Sequence, residues 1–100
     1  MAMRMLLKVS PGGDAANTAV TDGTMERVLG RFVERFHPEA AYFTTEAGER
    51  TFLFFFNLHA ESDMVLAAEP FWNEMHAKVD WAPVMTAEDV QKGLAAFADA

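Results

Sequence analysis

The chain has 100 residues, of which 51% are hydrophobic and 12% aromatic, and it carries a formal net charge of −7 with no cysteine. This composition predicts a single folded domain over residues 1–100 rather than a disordered chain. The acidic charge argues against nucleic acid or an anionic membrane as a partner, because both attract clustered Lys and Arg. The absence of cysteine excludes disulfides and thiolate metal sites. We expect a cytoplasmic protein whose first residues form neither a signal peptide nor a membrane span.

The N-terminal part of the chain predicts one strand followed by a loop. In Met3–Val9 the apolar residues Met3, Met5, Leu7 and Val9 alternate with Arg4, Leu6 and Lys8, which indicates a strand with one apolar face and one mixed face. The mixed face carries Arg4 and Lys8. The following segment, Ser10–Gly23, is rich in Gly, Pro and Asp, and this composition predicts a long loop.

Thr24–Phe36 has the clearest helical pattern in the chain, with apolar residues recurring at i, i+3, i+4 and i+7. The apolar positions are Met25, Val28, Leu29, Phe32, Val33 and Phe36. Arg27, Arg31 and Arg35 form a row on another face at i, i+4 spacing. Such a row could bind a phosphate, but the more general interpretation is a solvated face balanced by neighbouring glutamates.

Two adjacent segments predict an antiparallel hairpin, with strands over Ala40–Glu46 and Thr51–Leu58 and a short turn containing Gly48. The second strand is apolar on both faces, with Phe52, Phe54, Phe56 and Leu58 on one and Leu53 and Phe55 on the other. A strand of this kind is expected at the centre of a sheet that is covered on both sides.

The C-terminal part predicts a helix, a strand and a second helix. Ser62–Met75 is helical in pattern, although Pro70 is expected to kink or restart the helix because proline has no N–H to donate. Lys78–Val84 alternates, and the proline within it favours an edge strand. Thr86 and Asp89 have the spacing of a capping box at the start of the last helix. The apolar side of that helix consists of Val90, Leu94, Phe97 and Ala98.

The predicted order, β-α-β-β-α-β-α, is typical of an α+β fold, and its first six elements match the split βαβ or ferredoxin-like arrangement. The segment A-E-P-F at Ala68–Phe71 resembles the proline-containing second helix of the small YCII-related proteins. The chain as a whole resembles short bacterial proteins of the dimeric α+β barrel superfamily. That resemblance implies two domains with their sheets face to face. Relatives include monooxygenases and lactone isomerases, so the fold alone predicts no particular reaction.

A homodimer through the open sheet face also follows from the length of the chain, because the predicted helices suffice to cover only one face of a four-stranded sheet. The same face carries the charged residues Arg4 and Lys8, which need partners if a second copy covers them. We expect a cross-strand ion pair of Arg4 or Lys8 with Asp80, and we favour it over an anion-binding pocket on this face.

The three histidines, His37, His59 and His76, follow the ends of predicted elements, and a surface or cap position is the default interpretation for them. If the protein is an enzyme, which the sequence leaves open, His59 is the first candidate for proton transfer, supported by Tyr42 and Arg4. The chain has no H-x-x-x-H pair, and no metal site is predicted.

Haem-degrading relatives use an Asn, a Trp and a His around the porphyrin. Trp72 and His76 lie four residues apart, but Met3–Val9 contains no Asn in the position of the relatives' first-strand residue. No cofactor is therefore predicted.

An aromatic cluster is the second candidate site. Phe36, Phe71 and Trp72 are predicted to line a pocket between helices and sheet that binds a small hydrophobic or anionic metabolite. The alternative is a non-enzymatic dimeric assembly module in which the same aromatic residues simply fill the core.

Overall fold

The computed structural model describes residues 2–100, and in this part of the chain four antiparallel strands form one sheet accompanied by four helices. The elements in chain order are β1 (Met3–Ser10), α1 (Gly13–Thr21), α2 (Thr24–Phe36), β2 (Ala40–Glu46), β3 (Glu49–Leu58), α3 (Asp63–Met75), β4 (Lys78–Pro83) and α4 (Ala87–Ala98).

The strands lie in the order β2-β3-β1-β4, so β3 and β1 are central and β4, which contains Pro83, is an edge strand. This order is compatible with a ferredoxin-like sheet. The prediction that the strand with two apolar faces is central is confirmed, and so is the edge position of the proline-containing strand. The chain departs from a simple βαββαβ order because α1 is inserted between β1 and α2 and α4 follows β4.

One face of the sheet packs against helices α2 and α3. The side chains of this face come from alternate positions of the central strands, and the largest of them are fully buried. The buried residues of β1 and β3 are Met5, Leu7, Val9, Phe52, Phe54, Phe56 and Leu58. The helices contribute Phe32, whose ring lies 4.5 Å from that of Phe54, and Phe71, whose ring lies 6.1 Å from the same phenylalanine. The helix-covered face therefore holds a dense aromatic core.

Helix α1 corrects the prediction of a long loop over Ser10–Gly23. The segment contains Gly, Asn and Thr, which are weak helix formers, and its apolar residues are mostly alanines that give little hydrophobic signal. The decisive residues are Ala16 and Ala19, which lie on one side of the helix and are buried. Tertiary packing thus stabilises a helix that local propensity does not predict.

Helix α3 runs without a break from Asp63 to Met75 and contains Pro70 in its interior. A restart of the helix at this proline is therefore not observed. Both α2 and α3 end at histidines with left-handed backbone conformation, His37 with φ 47° and His76 with φ 46°. The backbone N–H of His37 donates to the Val33 carbonyl, which closes the last turn of α2.

Helix α4 begins with the predicted capping box. The Thr86 hydroxyl accepts a hydrogen bond from the Asp89 backbone N–H at 3.1 Å, and the Asp89 carboxylate accepts one from the Thr86 backbone N–H at 3.0 Å. No residue of α4, which lies wholly within the described range, is buried. No helix within residues 2–100 combines the length and apolar character that crossing a membrane would require.

Candidate functional site

A surface groove of about 530 Å³ lies between helices α2 and α3. Its lining is mainly apolar and includes Val28, Phe32, Phe36, Leu66, Ala67, Pro70 and Phe71, with Arg31, Glu34 and Arg35 among the same lining residues. Phe32 and Phe71 are buried and belong to the aromatic core, so the groove lies directly over that core. The groove opens toward solvent on the outer side of the helical layer.

The sequence explains why the groove forms at this place. On the α3 side, Ala67 and Pro70 contribute short side chains at i, i+3 spacing, whereas α2 contributes the large rings of Phe32 and Phe36. Small side chains opposite large ones leave a depression between the two helices. Pro70 also has no N–H with which to close the helical hydrogen bond to the carbonyl of residue 66.

The charged side chains of the groove are Glu34 and two members of the arginine row of α2, Arg31 and Arg35. Arg27, the first member of the row, forms an ion pair with Glu74 of α3 at 2.9 Å. Arg31 and Arg35 are exposed and line the groove beside Phe32 and Phe36. One arginine of the row, Arg27, therefore joins the two helices, and the other two lie beside the groove.

Two of the three predicted ligand-binding residues, Phe36 and Phe71, line this groove. The third, Trp72, is 44% exposed on α3 and lies outside the groove lining. The space between the helices and the sheet is occupied by Phe32, Phe54 and Phe71. The groove is consequently on the outside of the helical layer rather than between helices and sheet, and a binding role for these aromatic residues stays a prediction.

A second, smaller depression of about 310 Å³ contains His59. Its other lining residues are Arg35, Phe36, His37, Asn57 and Asp63. Arg35 and Phe36 also line the larger groove, so the two depressions are neighbours at the C-terminal end of α2. Two histidines, a carboxylate and a guanidinium thus lie near one end of the groove.

The strand register shows how far apart the predicted catalytic residues lie. Arg4 is opposite Asn57, two residues before His59, whereas Tyr42 is opposite Leu53. Six residues separate Leu53 from His59, which corresponds to about 20 Å along an extended strand. The register therefore places Arg4 near His59 but does not bring Tyr42 to either residue. Tyr42 is 60% exposed, and its ring lies 6.3 Å from that of Phe55. Catalysis by these three residues stays a prediction.

The open sheet face, which is the side of the sheet away from α2 and α3, carries Lys8 and Arg4. Neither residue forms the predicted ion pair with Asp80. Lys8 lies opposite Asp80 in the register, but its Nζ lies 3.0 Å from both carboxylate oxygens of Glu46. Arg4 Nε donates to Glu39 Oε1 at 2.6 Å. The prediction of a cross-strand ion pair on this face is confirmed, but the predicted partner, Asp80, is wrong. A lysine side chain can extend over the intervening strand, and Glu46 offers it two acceptor oxygens.

The geometry of the described residues also bears on metals. Within residues 2–100, no three His, Asp or Glu side chains are grouped so that they could hold a metal ion.

Comparison with protein-family models, with curated proteins and with solved structures gives no match for this chain.

The sequence interpretation did not place Arg31 and Arg35 beside a groove. It considered phosphate binding by the row of Arg27, Arg31 and Arg35 and favoured a solvated face, and Arg31 and Arg35 are indeed exposed. The available signal was the order R-F-V-E-R-F at residues 31–36, in which each of two arginines directly precedes a phenylalanine of the apolar stripe. Adjacent residues on a helix lie about 100° apart, so these arginines border that stripe.

Proposed function

We propose that the groove between α2 and α3 binds a small amphipathic anion, with its apolar body on the phenylalanines and its anionic group on Arg31 and Arg35. The observation that carries the proposal is the position of two exposed arginines beside an apolar groove whose lining includes the buried Phe32 and Phe71. The volume of about 530 Å³ is within the range of roughly 300–1,000 Å³ that is usual for small-molecule sites.

A carboxylate is the anionic group that the site suits best. The planar guanidinium of arginine donates two parallel hydrogen bonds to a carboxylate, and such charge-assisted bonds are stronger than neutral ones. A body of aliphatic or aromatic carbon would cover the exposed parts of Phe36 and Leu66, which the chain leaves facing water. A purely polar anion would leave the apolar lining uncovered.

Decanoate and the uncharged decanol are a suitable pair of probes, measured by isothermal titration calorimetry. We expect decanoate to bind more tightly than decanol and Arg31→Gln to weaken decanoate binding by about tenfold, because a hydrogen bond to a charged group is lost. Arg35→Gln is expected to act similarly. Arg27→Gln is the matched control, because Arg27 belongs to the same row but is engaged with Glu74.

The proposal makes two separable claims. Equal affinity for decanoate and decanol, with no effect of either groove arginine, would remove the anionic part and leave an apolar groove. Failure of both probes to bind, even at millimolar concentration, would reject the amphipathic-anion site as a whole. A loss of binding in Arg27→Gln as large as that in Arg31→Gln would attribute the effect to helix packing rather than to the groove.

The second candidate function is dimeric assembly, which the open sheet face favours. This face carries Leu6, Leu53 and Phe55 in the centre, each of them only partly exposed, and the 60% exposed Tyr42 toward the β2 edge. A second copy that applied its own open face would cover these side chains, in the manner of the dimeric α+β barrel proteins that the chain resembles. Light scattering tests this directly, because a homodimer has twice the 11.1 kDa mass of the chain.

A further inference from the structure

Helix α4 is amphipathic, yet none of its residues is buried in a single copy of the chain. Val90, Leu94 and Phe97, which we call the α4 stripe, follow one another at i, i+4 and i+7 and are 41%, 62% and 79% exposed. Glu88 and Lys92 lie on the opposite side of the helix and approach each other to 3.6 Å. Such a separation of apolar and charged residues is the pattern of a helix that covers a hydrophobic surface.

The dimensions of the molecule are those of an elongated rather than a compact domain. The principal extents are 55 × 28 × 18 Å and the radius of gyration is 15.8 Å. A compact domain of this length has a radius of gyration of about 13 Å. An isolated helix of one dozen residues is marginal in water even with a good cap, so α4 needs a packing surface to be stable.

We propose that α4 is an arm that packs its stripe onto a second copy of this chain, each copy giving one arm and receiving one. The proposal rests on the homodimer considered under Proposed function and assigns a specific element to its interface. Position supports it, because the Val84 backbone N–H donates to the Arg4 carbonyl at 3.1 Å. This hydrogen bond ties Val84, three residues before α4, to the central strand β1, so the arm begins at one end of the sheet.

Area supports it as well. A standard interface buries about 800 Å² per partner, and a biological interface is expected to exceed about 1,000 Å² in total. Four strands spaced by about 4.8 Å and about 20 Å long give the open face a plan area of roughly 400 Å². A helix of this length is about 18 Å long and about 10 Å wide, so the arm adds roughly 180 Å² to the surface that each copy contributes. The two sheet faces alone supply roughly 800 Å² in total, whereas faces and arms together supply roughly 1,160 Å², which exceeds the roughly 1,000 Å² expected of a biological interface.

Symmetry explains why a second copy fits better than an unrelated partner. In a two-fold dimer the same patch is buried on both chains, so one set of contacts covers the uncovered surfaces of both copies. The α4 stripe carries no charge, and neither do Ala87, Gly93 and Ala98 beside it. Two chains of net charge −7 can therefore meet through it without placing like charges in contact.

The test is the dimer dissociation constant of the full chain, measured by sedimentation velocity over a concentration series. Leu94→Glu places a charge in the α4 stripe, whereas Ala95→Glu places the same charge toward the opposite side. We expect Leu94→Glu to weaken dimerisation by at least about 100-fold, because two buried leucines are lost from a symmetric interface, and Ala95→Glu to leave it unchanged. Circular dichroism of both variants checks that the fold is retained.

A cross-link shows on which copy the arm lies. The chain has no cysteine, so Phe97→Cys carries a benzophenone label at one place only. Illumination is expected to join two chains covalently. Cross-links confined to single chains in a dimeric sample would overturn the proposal.

The remaining outcomes separate the two proposals. A full chain that is monomeric throughout the concentration series would overturn the homodimer, and the arm with it. A full chain that dimerises, with Leu94→Glu and Ala95→Glu dissociating alike, would overturn only the arm and leave the sheet face as the interface.

Discussion

The two faces of strand β3 differ in how the chain covers them. On one face Phe52, Phe54 and Phe56 are at most 5% exposed, because helices α2 and α3 lie over them. On the other face Leu53 and Phe55 are only partly covered by their neighbours in the sheet. The residues are similar in hydrophobicity, so the difference arises from what lies above each face.

This comparison shows how a short chain distributes its apolar residues. The helix-covered face is completed within one copy, and its rings pack at centroid distances of 4.5–6.4 Å. The open face and helix α4 remain incomplete, although both carry apolar residues at regular spacing. A chain of this length has a limited core, and assembly is a common way to complete one.

The largest effect is expected from the covered face. Phe54 is fully buried between Phe32 and Phe71, so Phe54→Ala should lower the free energy of unfolding by about 3–5 kcal/mol. Phe55→Ala, one residue away on the open face, should lower it by about 1 kcal/mol in the monomer, because this side chain is partly exposed already. Urea denaturation of both variants measures the difference.

Measuring the stability of the same two variants at two protein concentrations tests whether the open face is a dimer interface. If the open face is a dimer interface, Phe55→Ala should cost more at about 100 μM than at about 1 μM, since association stabilises the folded chain by mass action. Phe54→Ala should lose a similar amount at both concentrations. A Phe55→Ala variant as unstable as Phe54→Ala in the monomer would contradict the distinction between the two faces.

A smaller effect is expected at the ion pair of the open face. Lys8 and Glu46 have side chains that are 30% and 57% exposed, so their attraction is screened by water. Lys8→Met should change the free energy of unfolding by no more than about 1 kcal/mol in the monomer. The double-mutant cycle with Glu46→Gln isolates the pair. A coupling well above this value would indicate that the face is less accessible to water than a single copy suggests.

The smallest effect concerns two carboxylates at the N-terminal ends of helices with different packing, Asp89 in α4 and Asp22 just before α2. Hydrogen bonds from the Thr86 backbone N–H and hydroxyl hold the pKa of Asp89 below its ordinary value of 3.8. Hydrogen bonds from the Thr24 hydroxyl and backbone N–H likewise lower the pKa of Asp22 from 3.8. A carboxyl with a lowered pKa in the folded state stabilises that state above the unfolded pKa, and this contribution is lost as pH falls through the folded pKa.

Acidification should therefore affect the two helices differently. Below about pH 3.8, the ordinary carboxyl value, α4 should begin to fray, whereas α2 should persist because Val28 and Phe32 are buried in the core. Nuclear magnetic resonance chemical shifts of the two helices over this range measure the difference, and Asp89→Asn should remove the acid transition of α4. Simultaneous fraying of both helices would show that packing does not distinguish them.

The sequence by itself determined the regular part of this fold. Alternation in Met3–Val9 and the two apolar faces of Thr51–Leu58 predicted the two central strands, and the buried side chains lie at alternate positions of both, except that Met3 is 56% exposed. The helical stripe of Thr24–Phe36 and the capping box at Thr86 and Asp89 were equally local signals. These features depend on neighbours in sequence, which is why they could be predicted without a structure.

Tertiary structure decided what depends on distant neighbours. Helix α1 forms because Ala16 and Ala19 find a surface to cover, and their small side chains give little signal in the sequence. Lys8 of β1 pairs with Glu46 of β2 rather than with Asp80, and this contact spans the intervening strand β3. The groove exists because Ala67 and Pro70 of α3 lie opposite Phe32 and Phe36 of α2, and only the packing of the two helices places Arg31 and Arg35 beside it. Contacts between remote segments have no periodicity along the chain, so they are absent from any local pattern.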